Sequence, residues 1–163
     1  MLVPPLHLVR PLQPNDWNQV REVYSDAVLS LAPPFYEPEQ IRAWAQHPHH
    51  NQTFQEALER GYGLVASPVD RPASVEAFAL LDPPDRLSLL YCRGRSSRRG
   101  LASLLVRSLE DHARNQGHSR LRTEASQLSR PLLERLGWGV DAEETILFAG
   151  ETFVRWRMST PLS

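Results

Sequence analysis

The hydrophobic pattern changes period near residue 61. Before that point apolar residues recur at helical spacing; after it they alternate or run continuously, as in strands. Residues 6–11 read as a short opening strand. Pro14-Asn15-Asp16 then starts a helix, with proline in the first turn and an acid beside it, and Val20, Tyr24, Ala27, Val28 and Leu31 form its apolar stripe. Pro33-Pro34 ends that helix. Pro38 to Gln46 reads as a second, short helix with Ile41, Trp44 and Ala45 on one side. His47-Pro48-His49-His50 interrupts the pattern, and residues 52–60 are helical again. Tyr62–Val69 and Ser74–Leu81 read as strands joined by a turn at Asp70-Arg71-Pro72. Asp82-Pro83-Pro84-Asp85 is a second turn, leading into a strand over residues 87–92.

A helix from about 99 to 116 places Leu101, Leu104, Leu105 and Leu109 on one stripe and ends at Gly117. Leu121–Ser126 is a strand. Pro131 falls in the first turn of a short helix that Gly137 closes. Thr145–Phe148 and Phe153–Met158 form a closing hairpin across Ala149-Gly150-Glu151. Three consecutive strands with short turns predict antiparallel pairing, and the strand–helix–strand unit from 87 to 126 predicts a parallel, right-handed crossover. The result is an α/β fold with a mixed, largely antiparallel sheet, a central parallel unit and helices on both faces. No repeat or linker divides the chain, which predicts a single domain over residues 1–163.

The segment Leu89-Leu90-Tyr91-Cys92-Arg93-Gly94-Arg95-Ser96-Ser97-Arg98-Arg99-Gly100-Leu101-Ala102-Ser103 carries the chemistry. A strand feeding a small-residue loop at a helix start points free backbone N–H groups and the positive end of a helix dipole at one spot, which suits phosphate. Arg93, Arg95, Arg98 and Arg99 are expected to surround that spot with charge. The net charge of -1 argues against nucleic-acid binding through an overall basic field. All 18 basic residues are arginine, which excludes lysine-based chemistry. Cys92 stands alone, so no internal disulfide forms. No apolar run is long enough to cross a bilayer, and Met1-Leu2-Val3-Pro4-Pro5 lacks the features of a signal peptide. The expected location is cytoplasmic, with no membrane partner.

This element order and segment resemble the GNAT superfamily of acyl-CoA-dependent N-acyltransferases. The family signature, Gln/Arg-x-x-Gly-x-Gly/Ala, aligns with Ser97-Arg98-Arg99-Gly100-Leu101-Ala102; Gly100 and Ala102 match, while Ser97 and Arg98 depart from the usual residues. Leu133-Glu134-Arg135-Leu136-Gly137-Trp138 is similar to the family's closing segment, and the stretch from Phe35 to Ala45 resembles a subgroup pattern. The resemblance implies acetyl-CoA as co-substrate, bound by Leu90, Tyr91, Cys92 and the loop Ser97, Arg98, Arg99, Gly100, Leu101, Ala102 and Ser103. A backbone N–H near Cys92 would stabilise the oxyanion. Tyr36, Glu37 and Trp44 would border the acceptor pocket. It implies an N-acetyltransferase in which a small-molecule or peptide-like primary amine attacks the thioester directly.

The catalytic groups are less conventional. Many relatives place a tyrosine acid in the short helix after the fifth strand, where this chain has Leu132-Leu133; a frequent asparagine is Leu128, and a fourth-strand acid is Ser88. Glu124 is then the candidate base and Tyr91 the candidate acid, with a salt bridge from Glu124 to Arg120 or Arg122 as the structural alternative. The vacant positions keep a second reading open, a non-catalytic acyl-CoA-binding regulatory module. A nucleic-acid-binding domain using the 93–99 arginines ranks last. The histidines at 47, 49 and 50 lack matching Cys or acidic partners, so no metal is expected. A homodimer is left open.

Overall fold

The protein is described by a computed structural model covering residues 6–49 and 51–163. The signal-peptide reading of residues 1–5 and the last histidine of the 47–50 cluster, His50, fall outside the described residues. The elements are β1 (His7–Pro11), α1 (Trp17–Leu31), α2 (Pro38–Gln46), α3 (Gln52–Arg60), β2 (Tyr62–Pro68), β3 (Ala77–Leu81), β4 (Arg86–Cys92), α4 (Leu101–Asn115), β5 (Arg120–Ala125), α5 (Arg130–Arg135), β6 (Gly139–Phe148) and β7 (Glu151–Pro161). The strands form one seven-stranded sheet in the order β1-β2-β3-β4-β5-β7-β6. The neighbours pair antiparallel except β4 and β5, which are parallel as the crossover predicted.

Strand alternation sorts side chains to two cores. On one face Leu64, Ala66, Ala77 and Ala79 pack beneath Leu101, Leu105 and Leu109 of α4, with Leu133 of α5 alongside. On the other, Val65, Phe78 and Leu80 meet Val20, Val23 and Val28 of α1, with Trp44 and Phe54 from α2 and α3. The small alanines of β3 let α4 lie close, and the larger residues of the opposite face fill the wider space under three helices. None of the helices in the described residues is long and apolar enough to cross a membrane.

The hairpin β6–β7 is longer than the hydrophobic pattern indicated. Its outer halves carry Asp141, Glu143 and Glu144, which pair across the strands with Ser159, Trp156 and Arg155 and escape a reading based on apolar alternation.

Candidate active site

The site begins where the sheet comes apart. β4 and β5 pair only at Arg86↔Arg122 and Leu87↔Thr123. At that point the Thr123 hydroxyl donates to Leu87 O at 2.6 Å, and beyond it the strands diverge. β4 continues to Cys92 with its far edge still held by β3. A register shift sets Leu80 opposite Leu89 but Leu81 opposite Leu87, so Ser88 is an extra residue in β4. The bulge swaps which side chains face which core: Leu87 and Leu90 face α4, whereas Leu89 and Tyr91 face α1.

The segment after β4 is pinned from below. Glu76 is buried just ahead of β3, and its carboxylate accepts from Arg95 Nε and Nη2 at 2.9 and 2.6 Å and from the buried Ser96 hydroxyl at 2.6 Å. The Arg95 hydrogen bonds, together with Ser96 and Ser74, hold the Glu76 carboxyl down at about 2 despite its burial. Arg93 Nε donates to Val75 O at 2.8 Å. Gly94 lies so close to α1 that a Cβ there would sit 2.6 Å from Ser30 Cβ, and its N–H donates to Asp26. Arg93 and Arg95, expected to charge the phosphate site, are thus tied to Glu76 and the backbone. Among the described residues no carboxylate pairs with Arg98 or Arg99, and both are exposed.

The chain then turns into α4 through Arg98 at φ 62° and Gly100 at φ 80°. Gly100 is the N-cap residue, and a Cβ built on it meets nothing within 4 Å. The first helical hydrogen bond runs from Leu104 N to Gly100 O, so the amides of Leu101, Ala102 and Ser103 precede the helical ladder and stand free of it. This open, left-handed corner with free donors fits a pyrophosphate.

A cavity of about 460 Å³ runs through the gap between β4 and β5. On the α4 side it is lined by Leu90, Cys92, Ala102, Leu132 and Leu133, and on the other by Tyr24, Tyr36, Trp44, His47, Phe148 and Phe153. Burial pushes the Cys92 thiol up to about 11 and raises the Tyr91 and Tyr36 hydroxyls, so all three hold their protons at neutral pH. The Tyr91 hydroxyl accepts from Trp44 Nε1 at 3.1 Å, and its ring stacks on Tyr24 with centroids 4.2 Å apart. The Tyr36 hydroxyl accepts from Gln127 N at 2.9 Å. Burial lowers the His47 imidazole, which favours its neutral form.

The expected residues separate into three groups. Leu90, Tyr91, Cys92 and Ala102 line the cavity, as do Tyr36 and Trp44. Ser97 to Leu101 and Ser103 form the corner and first helical turn beside it. Glu37 does not reach the cavity: it is exposed and caps α2, its N–H donating to Gln40 Oε1 at 2.8 Å. Glu124 does line the cavity, but its carboxylate is engaged by Arg86 Nε and Nη2 at 2.8–3.1 Å. Its partner is neither Arg120, which contacts Asp141, nor Arg122, which contacts Asp85. The parallel pairing places Arg86 beside β5 at the point where the strands still touch. His49 Nε2 meets the Ser25 hydroxyl at 2.7 Å, and among the described residues no three His, Cys, Asp or Glu side chains converge as a metal set.

The family model for an acetyltransferase (GNAT) domain matches residues 33–160. The chain belongs to the GNAT family. It is 27% identical to the uncharacterized N-acetyltransferase YafP of Escherichia coli K12, over 92% of this chain and 93% of that one. The GCN5-related N-acetyltransferase of Rhodopseudomonas palustris superposes with a TM-score of 0.90 at 23% identity, covering 99% of both chains. PaiA N-acetyltransferase of Thermoplasma acidophilum, solved in complex with coenzyme A, superposes at 0.75 and 15% identity over 96% of this chain and 99% of that one. The seven-stranded mixed sheet is thus the GNAT fold, and the chain is a GNAT N-acetyltransferase by family.

Leu133 is buried against the cavity, and Leu128 and Leu132 line it too. Sequence reasoning missed His47 as a cavity residue, treating it only as a metal candidate. It also missed Phe148 and Phe153, which the hairpin brings in from the chain's end.

Proposed function

We propose that this GNAT protein transfers an acetyl group from acetyl-CoA to a primary amine by direct attack. The observation that carries the reading is the cavity through the parted strands, with the free amides of the α4 start at one end and the aromatic wall at the other. The co-substrate supplies an activated acyl carbon and a thiolate leaving group. The amides of Leu101, Ala102 and Ser103 bind pyrophosphate, and Arg98 and Arg99 add charge. The free edge of β4 from Ser88 to Cys92 offers backbone groups to a pantetheine arm laid along it, and a β4 N–H stabilises the oxyanion. Glu124 holds Arg86 and so the last contact between β4 and β5. With leucine at 133, the departing thiolate takes its proton from water or from the Tyr91 hydroxyl. The whole chain acts as one acyltransferase domain.

Calorimetry with acetyl-CoA tests this together with amine-dependent thiol release. The unaltered protein binds in the micromolar range, and Gly100→Glu, which sets a side chain and a negative charge in the open corner, abolishes binding. Equal affinity in the two proteins refutes the placement. Binding without amine-dependent release would identify a regulatory module.

A further inference from the structure

The acceptor end of the cavity has an arrangement that the acetyl-transfer reading does not require. Six aromatic rings from separate parts of the chain form a closed circuit: Tyr24 of α1, Tyr91 of β4, Trp44 of α2, Phe153 of β7, Phe148 of β6 and His47. Taken in that order the centroid separations are 4.2, 6.5, 6.1, 5.9 and 4.5 Å, and His47 closes on Tyr24 at 6.5 Å. All six line the cavity.

The charged residues around the same cavity are already satisfied. Asp82 is paired with Arg60 at 2.7 Å, Glu124 with Arg86 at 2.8 Å, and Arg155 with Glu144 at 2.7 Å. Among the described residues lining the cavity, a polyamine meets no free carboxylate and a free amino acid no free guanidinium. Either would lose hydration without an ionic partner. A flat apolar body loses little water and gains stacking and edge contacts with the rings.

We propose that the acceptor is a primary amine carried directly on an aromatic ring, held within this circuit; the proposal rests on the acetyltransferase reading and narrows it. The nitrogen of such an amine shares its lone pair with its ring, so it is unprotonated at neutral pH. Attack then needs no prior deprotonation, which suits a cavity whose carboxylate Glu124 is occupied by Arg86. The nitrogen attacks the thioester carbonyl carbon, an N–C bond forms, and the C–S bond breaks with its electron pair leaving on sulfur. One proton passes from nitrogen to sulfur through water. The products are an N-aryl acetamide and the free thiol.

The test uses the full chain with 4-ethylaniline, spermidine and L-leucine, following acetylated product by mass spectrometry, with acetyl-CoA binding measured in parallel. The expected kcat/KM for 4-ethylaniline exceeds that for either other amine by about 100-fold. Phe148→Ala, at a half-buried ring at the end of β6, raises the KM for 4-ethylaniline about three- to tenfold and leaves acetyl-CoA affinity unchanged. Spermidine or leucine used as fast as the arylamine overturns the proposal. So does an unacetylated arylamine in a protein that binds acetyl-CoA, an outcome that leaves the acetyl-CoA reading standing. Absence of acetyl-CoA binding overturns both. An unchanged KM in Phe148→Ala overturns the placement within the rings.

Discussion

Glu76→Gln keeps the shape of the carboxylate beneath the segment after β4 and removes its charge. In the native protein that carboxyl is held at about 2, against an ordinary 4.5. At about 1.4 kcal/mol per tenfold change in proton affinity, this is about 3 kcal/mol of preference for the charged form. Its strongest partner, the Arg95 side chain, is 63% exposed, so water replaces part of what is lost. The expected destabilisation at pH 7 is therefore about 2 kcal/mol, with Ser96 still able to donate to the amide oxygen. The pH dependence follows from the depressed value. The contribution is complete above 4.5 and drains as pH falls toward 2, so the gap between the two proteins should shrink by about half between pH 7 and pH 3. Urea unfolding at both pH values measures it, provided the slope is unchanged by the substitution. A gap below about 0.5 kcal/mol at pH 7, or one that is the same at pH 3, refutes the charge argument. Because Glu76 anchors the turn that leads into the Gly100 corner, the variant should also bind acetyl-CoA more weakly while still folded.

Three further outcomes are expected. Cys92, with its thiol pushed up to about 11, should react with iodoacetamide at pH 7.5 at least about 100-fold more slowly than free cysteine, and a rate within tenfold of the free amino acid contradicts its burial. Tyr91→Phe keeps the ring and removes the acceptor of the Trp44 N–H; turnover should fall less than about threefold, whereas a loss of about 100-fold or more marks the hydroxyl as the acid. Arg99→Ala should weaken acetyl-CoA about tenfold by calorimetry if its charge meets phosphate, and no change assigns the affinity to the backbone amides alone.

Most of the scaffold was legible because periodicity reports which face a residue buries. The α4 stripe, the β2–β3–β4 run and the parallel crossover all follow from local pattern and connection length. The Gly100 corner was also readable, since glycine at a helix start marks a backbone other residues avoid. What failed to show were relations between distant residues. Nothing local to Arg95 announces Glu76 as its partner, nor does the neighbourhood of Glu124 announce Arg86. The bulge at Ser88 shifts side chains between faces without any glycine or proline to signal it. The ring circuit unites residues from Tyr24 to Phe153, and in one dimension each is an ordinary core aromatic.

The parting of β4 from β5 bears on the mechanics of the whole sheet. Two backbone pairs, the Arg122 N–H on Asp85 O, the Thr123 hydroxyl, and the Arg86–Glu124 and Arg122–Asp85 bridges join a four-stranded raft, β1 to β4, to a three-stranded one, β5, β7 and β6. A ligand lying along the open edge of β4 supplies hydrogen bonds that the sheet itself lacks there, in effect acting as a missing strand. Occupancy then stiffens the molecule across its weakest seam, and amides of β5 should exchange with solvent more slowly once the site is filled. Both cores span that seam, with Leu121, Ala125 and Met158 of one raft packed in the same core as Leu64, Ala79 and Leu87 of the other. A bulky acyl chain or acceptor that wedges the rafts apart should therefore strain this packing, and tolerance of substrate size should be set by the joint as much as by the cavity walls.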